Sequence, residues 1–213
     1  MDKKRLSKFV KYLFIIYYGV GIAGLSLSFT QDLFITLMPL SLIASSAILL
    51  YFHDHWRRTD ILIFFLIALA GYLIEVLGVH TGQVFGSYSY GRALGLKIAE
   101  TPLLIGLNWL MLTYCVYAIL EKYSLFWPIK VLSAAVLMVV YDVLMEPVAI
   151  RLDMWDWGGP IPLQNYQAWF IISIIFLTVM HLFRIRTNNR VAGWLFGIQF
   201  VFFALLNITL RVF

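Results

Sequence analysis

Charge is scarce in this chain. Lys, Arg, Asp and Glu make up 13% of its 213 residues, about half the share of an average soluble domain. Hydrophobic residues reach 62% and mean hydropathy is +0.87. That balance excludes a disordered chain and an ordinary soluble enzyme. Cysteine is scarcer still. Cys115 stands alone in an apolar run, so an internal disulfide is impossible and a disulfide-built secreted domain is excluded. No P-loop, G-x-S-x-G or H-E-x-x-H pattern occurs. Residues 191–212 contain no lysine, and no lysine sits mid-run elsewhere. A retinal-type Schiff base therefore has no anchor.

What the chain does contain is long apolar runs. Their length of about 20 residues suits helices crossing a roughly 30 Å hydrocarbon core and does not suit barrel strands. Seven spans are expected, at about 9–29, 32–52, 61–79, 101–120, 127–150, 166–183 and 191–212. The expected fold class is all-α: a polytopic membrane helix bundle, with residues 1–213 forming one transmembrane domain. The start Met1-Asp2-Lys3-Lys4-Arg5 resembles a signal peptide. The run behind it is too long, and Ser26-Leu27-Ser28 is a poor cleavage site, so it reads as a retained anchor.

The net charge is +5. In a membrane chain this reflects basic loops that fix topology rather than a nucleic-acid partner. With the N-terminus inside, twelve of the sixteen Lys and Arg fall on the inner side. Arg92, Lys97, Arg151 and Arg211 fall outside. The reading is N-in and C-out, in a bacterial inner membrane. Two outer loops, 80–100 and 151–165, are rich in Gly and aromatic residues. They are expected to be ordered turns folded back over the bundle.

Ionisable groups inside a bilayer are costly, about 2.5–3.5 kcal/mol each at a helix centre on insertion scales, and each needs a reason. Glu75, Asn108, Asp142, Glu146, Gln199 and Asn207 are the polar residues within spans. All but Gln199 fall within roughly 12 Å of the outer helix ends at 1.5 Å per residue. The inner half is expected to be nearly bare. Asp142 and Glu146 are four apart and share a helix face. Three carboxyls without a buried cation cannot all be ionised, so a proton donor beside a carboxylate is expected. Arg151 offers a surface partner for Glu146 or Asp153. The bland alternative is a set of interhelical hydrogen bonds.

Other signals are weaker. His53 and His55 lie in an inner loop without further ligands, which reads as a solvated loop rather than a metal site. His80, beside Glu75, could shuttle protons. Tyr88, Tyr90, Trp109, Trp155 and Trp157 are either belt residues or walls of a cavity that stabilise a cation. Two hairpins share a plan: an acid near the end of a span, a Gly/aromatic loop, then an Asn in the next span.

Several segments together carry a resemblance. The first half has Glu75-x-x-Gly78-x-x-Thr81-Gly82-x-x-Phe85-Gly86-x-Tyr88-x-Tyr90, then Leu94-Gly95, Pro102 and Asn108-Trp109. The second has Tyr141-Asp142-x-x-x-Glu146-Pro147-Val148-Ala149, Trp155-x-Trp157 and Pro162-x-Gln164-Asn165-Tyr166-x-x-Trp169. This resembles the membrane carotenoid biosynthesis protein family, which includes carotenoid 1,2-hydratases and bisanhydrobacterioruberin hydratase. It covers about half the chain. The resemblance implies hydration of the terminal double bond of an acyclic carotenoid such as lycopene or γ-carotene. It implies no cofactor and no metal. The partners are the carotenoid, water and membrane lipids. Glu75, Asp142 and Glu146 would be catalytic, with Asp142 or Glu75 the acid and Glu146 the base. Asn108 and Asn165 would orient water or the carboxyls. Trp109, Tyr88, Tyr90, Trp155 and Trp157 would line the end-group pocket. The residues alone leave open a proton-coupled transporter, a non-catalytic carotenoid-binding subunit, and an isomerase or cyclase.

Overall fold

Among the described residues the chain forms seven helices: α1 (Lys3–Ser26), α2 (Ser28–Tyr51), α3 (Arg58–Thr81), α4 (Leu104–Leu120), α5 (Trp127–Arg151), α6 (Leu163–Leu182) and α7 (Ala192–Val212). The structure, a computed structural model, describes residues 2–212, with α7 side chains described as far as Leu210. The side chain of Arg211 therefore lies outside the described residues. Six of the helices are long and apolar enough to cross a membrane. The chain is a polytopic membrane helix bundle.

The expected spans match these helices in number and order, with five of the seven starts shifted by three to six residues. The first helix begins at Lys3 rather than near 9, because Asp2 caps it, accepting from Lys4 N at 3.4 Å. The fourth begins at Leu104 rather than 101. Thr101–Pro102 is instead a short strand, β3, paired with β2 (Lys97–Ile98). At 17 residues α4 is the shortest helix among the described residues, and most of it is buried. It is the central helix, packed on α2, α3, α5, α6 and α7. Protein, rather than lipid, surrounds it.

Leu27 alone separates α1 from α2. The turn is tight because side chains satisfy the carbonyls at the end of α1: Thr30 Oγ1 donates to Gly24 O and Gln31 Nε2 to Leu25 O, both at 2.8 Å. α7 runs beside α1 in the same direction. Trp194 near its start donates to Lys11 O, and Thr209 near its end meets the Ser26 hydroxyl at 2.7 Å.

The loops after α3 and α5 fold back over the bundle, as their composition suggests. They also pair with each other. β1 (Ser89–Tyr90) and β4 (Trp155–Asp156) form a two-residue antiparallel ladder with Tyr90 opposite Trp155. Gly91 continues the approach, donating to Met154 O at 3.0 Å. Only glycine fits there, because a Cβ would collide with the Asp153 backbone oxygen.

Candidate active site

Glu75 is buried in α3, roughly 9 Å from its end at 1.5 Å per residue. Three donors converge on it. The Tyr88 and Tyr90 hydroxyls donate to Oε2 at 2.5 and 2.7 Å, and Trp109 Nε1 donates to Oε1 at 2.8 Å. Tyr88 reaches it because residue 78, one turn on, is glycine. A Cβ there would stand 2.6 Å from the Phe85 ring and 3.2 Å from the Tyr88 hydroxyl. Burial first, then the Glu75 charge, push both tyrosine hydroxyls above the ordinary phenol range, so they serve as donors.

Glu146 in α5 is held in the same way. Trp155 and Trp157 each donate Nε1 to its Oε2 at 2.9 Å, and Asn165 Nδ2 donates to Oε1 at 3.1 Å. Asn165 gives its other amide hydrogen to Asp142 Oδ2 at 2.7 Å. One amide thus bridges two carboxyls a helix turn apart. Asp142 Oδ1 is buried without a partner. Arg151 is exposed and Asp153 faces Arg92, so neither pairing suggested for Arg151 forms.

The two halves therefore repeat one plan. Each carboxyl takes two donors from alternate residues of its own following loop, and a third from the next helix. The plan differs from the expected one in a single residue: the first-half helix donor is Trp109, not Asn108. Asn108 instead lines a separate apolar cavity of about 190 Å³ among α1, α2, α4, α5 and α7. The aromatic residues also pack across the loops, Tyr88 on Trp157 with centroids 5.0 Å apart and Tyr90 edge-on to Trp155 at 6.1 Å. Their expected role as walls is thus joined by a second one, as hydrogen-bond donors.

Glu75 and Glu146 face a common chamber of about 20 Å³ lined also by Asn165 and the four loop aromatics. A water needs roughly 10–15 Å³ by this measure and two to four polar partners. The chamber meets both conditions. Asp142 stands outside it. Ile105 and Trp155 line both the chamber and the 190 Å³ cavity. A water-sized polar space thus adjoins a larger apolar one. Three residues of this wall, Phe85, Ile105 and Trp169, were not among the expected site residues, although Phe85 and Trp169 stand in the segments that carry the resemblance. Trp169 stacks on Trp109 at 4.3 Å, and its i, i+4 spacing from Asn165 was the available signal. Ile105 carried none.

The family model for carotenoid biosynthesis proteins matches residues 35–212. The chain belongs to the carotenoid biosynthesis protein family. Its role is carotenoid-related, and it is an integral membrane protein. A relative, the bisanhydrobacterioruberin hydratase of Haloarcula japonica, is 25% identical over 114 residues, which is 49% of this chain and 39% of the relative. The match thus spans about two fifths of the relative's length. No solved structure matches the chain.

Other polar residues of this carotenoid biosynthesis protein lie apart from the site. Asn207 donates to the Leu144 and Phe203 carbonyls. His80 is exposed, and the Tyr72 hydroxyl donates to Ile98 O. Two expectations need correction. His53 is buried rather than solvated: its Nδ1 lies 2.8 Å from the Tyr114 hydroxyl and its Nε2 3.4 Å from Asp60 Oδ2. The inner half is not bare either. Asn189 Nδ2 bonds Leu49 O and the Tyr114 hydroxyl, while Asn189 Oδ1 caps α7 through Val191 N and Ala192 N. Gln199 donates to Tyr18 at 2.9 Å. Among the described residues no group of three or more His, Cys, Asp or Glu could hold a metal ion.

Proposed function

We propose that this protein hydrates the terminal 1,2 double bond of an acyclic carotenoid end group. One observation carries the reading: the water-sized chamber between Glu75 and Glu146 shares its wall, Ile105 and Trp155, with an apolar cavity. Hydration needs an acid, a base, one water and an alkene terminus in close proximity.

In this reading Glu75 carries the proton. Protonating an alkene needs an acid with a stable conjugate base, and Tyr88, Tyr90 and Trp109 supply three donors to the carboxylate left behind. The proton goes to carbon 2, and the π pair forms the new C–H bond. A tertiary cation remains at carbon 1, beside aromatic faces that favour it. Water adds there, and Glu146 takes the proton released. The result is a tertiary alcohol heavier than the substrate by one water. Proton return from Glu146 to Glu75 closes the cycle. Asp142 acts at one remove, holding the Asn165 amide that orients Glu146. Asn108 would face the substrate rather than the water. Residues 1–213 would act as one transmembrane domain. An N-in, C-out bundle of helices suits a bacterial inner membrane.

The test is expression in a bacterial host that makes lycopene or γ-carotene, with pigments analysed by chromatography and mass spectrometry. A product gaining one water, with the polyene absorption unchanged, is expected. The variants E75Q, D142N and E146Q should lose it while remaining in the membrane. Full activity in all three would sink the proposal.

The second reading is a proton-coupled transporter, favoured by the buried Asp60–His53–Tyr114–Asn189 cluster on the opposite side of the bundle. It predicts no new pigment in any variant.

A further inference from the structure

The 190 Å³ cavity is too small for a whole carotenoid. A cavity of about 150 Å³ takes a benzene-sized guest, so this one holds only the terminal carbons of a long polyene. The remainder of the chain must leave through an opening. Tyr17 and Val20 of α1 and Leu37 of α2 belong to the lining, yet each is at least 40% exposed on the bundle surface. They form a rim between α1 and α2, beside further exposed apolar residues such as Ile16, Leu33 and Leu40 that suit lipid contact. At the far end the cavity reaches Trp155, whose Nε1 holds Glu146.

Glu75, Asp142, Glu146 and all their donors lie within residues 35–212, the segment shared with the family. α1 lies outside it. α1 supplies a wall of the passage from outside the matched segment. Within that wall, Gly21 leaves the passage wide. A Cβ there would stand 3.3 Å from the Phe202 ring, and a longer side chain would have to project into the cavity. Leu25, one turn on, is buried and fills the space beside it.

We propose that the rim between α1 and α2 is a lateral portal from the bilayer, and that Gly21 and Leu25 select which polyene end group passes to Trp155. The occupant is the acyclic, methyl-branched end of a long polyene, with its length trailing into lipid. A cyclised end group is wider and is turned away. This inference rests on the hydratase reading for its product assay, but not for its binding assay.

The experiment uses the full chain, tagged and extracted in mild detergent from hosts making either lycopene or a ring-ended carotenoid. Pigment retained per protein is read by visible absorbance, and products by mass spectrometry. Wild type is expected to retain lycopene or its hydrated product and not the ring-ended pigment. Gly21→Leu should retain roughly tenfold less lycopene, the scale of added methylenes in a tight apolar pocket. Leu25→Ala should admit the ring-ended pigment. Val20→Trp, at the exposed rim, narrows the mouth without touching the core and should slow uptake even if Gly21→Leu fails to fold. E146Q should bind like wild type without converting. Wild type that retains lycopene without any product gaining water would defeat the hydratase reading while leaving the portal standing, and conversion by E146Q would remove only the role of Glu146 as base. Pigment content of V20W and L25A equal to wild type for both pigments would overturn the portal. So would a wild-type protein that retains neither lycopene nor its hydrated product.

Discussion

Tyr90 and Trp155 face each other across the only residue pairs that join the two long loops in a ladder among the described residues, and each donates to a different buried carboxyl. Pairing the loops therefore brings donors of Glu75 and Glu146 side by side. The ladder is short, but its register decides which aromatic side chains point down into the bundle, since a shift by one residue would turn both outward.

Removing one donor should weaken one carboxyl without emptying the site. Y90F leaves Glu75 with Tyr88 and Trp109, and W155F leaves Glu146 with Trp157 and Asn165. Each is expected to cost roughly 1.5–3 kcal/mol of transition-state stabilisation, about ten- to a hundredfold in rate, as for a hydrogen bond to a charged group. Initial rates of product formation in isolated membranes, at matched protein levels, are the check. Rates within error of wild type would refute a role for the donors.

Two glycines in the loops should respond oppositely. Gly91 has the Asp153 backbone oxygen against it, whereas Gly159 has nothing within 4 Å. G91A should separate the loops, lower the melting temperature in detergent and reduce conversion. G159A should be close to silent, within about 0.5 kcal/mol.

Asn165 bridges Asp142 and Glu146, so replacing it leaves two buried carboxyls facing each other without a donor between them. N165L is expected to destabilise the protein by about 1–3 kcal/mol. In the double variant N165L/D142L the penalty should shrink, because the like group has gone as well. Thermal unfolding of the four members of the cycle measures the coupling. Additive effects would mean the amide is not a bridge.

His53 gives stability a pH dependence. Burial holds its pKa below the ordinary 6.5, against the opposing pull of the Asp60 hydrogen bond. The unfolded chain takes up this proton first as pH falls. The contribution is complete above pH 6.5 and is lost on acidification below it. Melting temperature in detergent should therefore drop between pH 6.5 and 5, and H53Q should flatten that slope. An unchanged slope in H53Q would assign the acid sensitivity to another group.

Much of this protein was legible in its sequence. The apolar runs gave seven helices because a helix that must satisfy its backbone in lipid needs length and hydrophobicity above all, and both are local properties. The three carboxyls stood out because such groups are costly in lipid. Their depth followed from counting residues along a helix. Other features depended on packing. Asn108 and Trp109 are adjacent on α4, yet the first lines the apolar cavity and the second binds Glu75. Depth alone cannot separate them, since the difference is one of direction around the helix. His53 read as a loop residue because nothing near it in sequence predicts Tyr114, sixty-one residues on, as its partner. The sequence by itself determined the membrane bundle, its helices and the stock of buried acids. Only the tertiary structure decided which acids share a chamber, which aromatic residues donate to them and where the apolar cavity meets that chamber. Composition and periodicity act within a helix, whereas these contacts join residues brought together by loop pairing and interhelical packing.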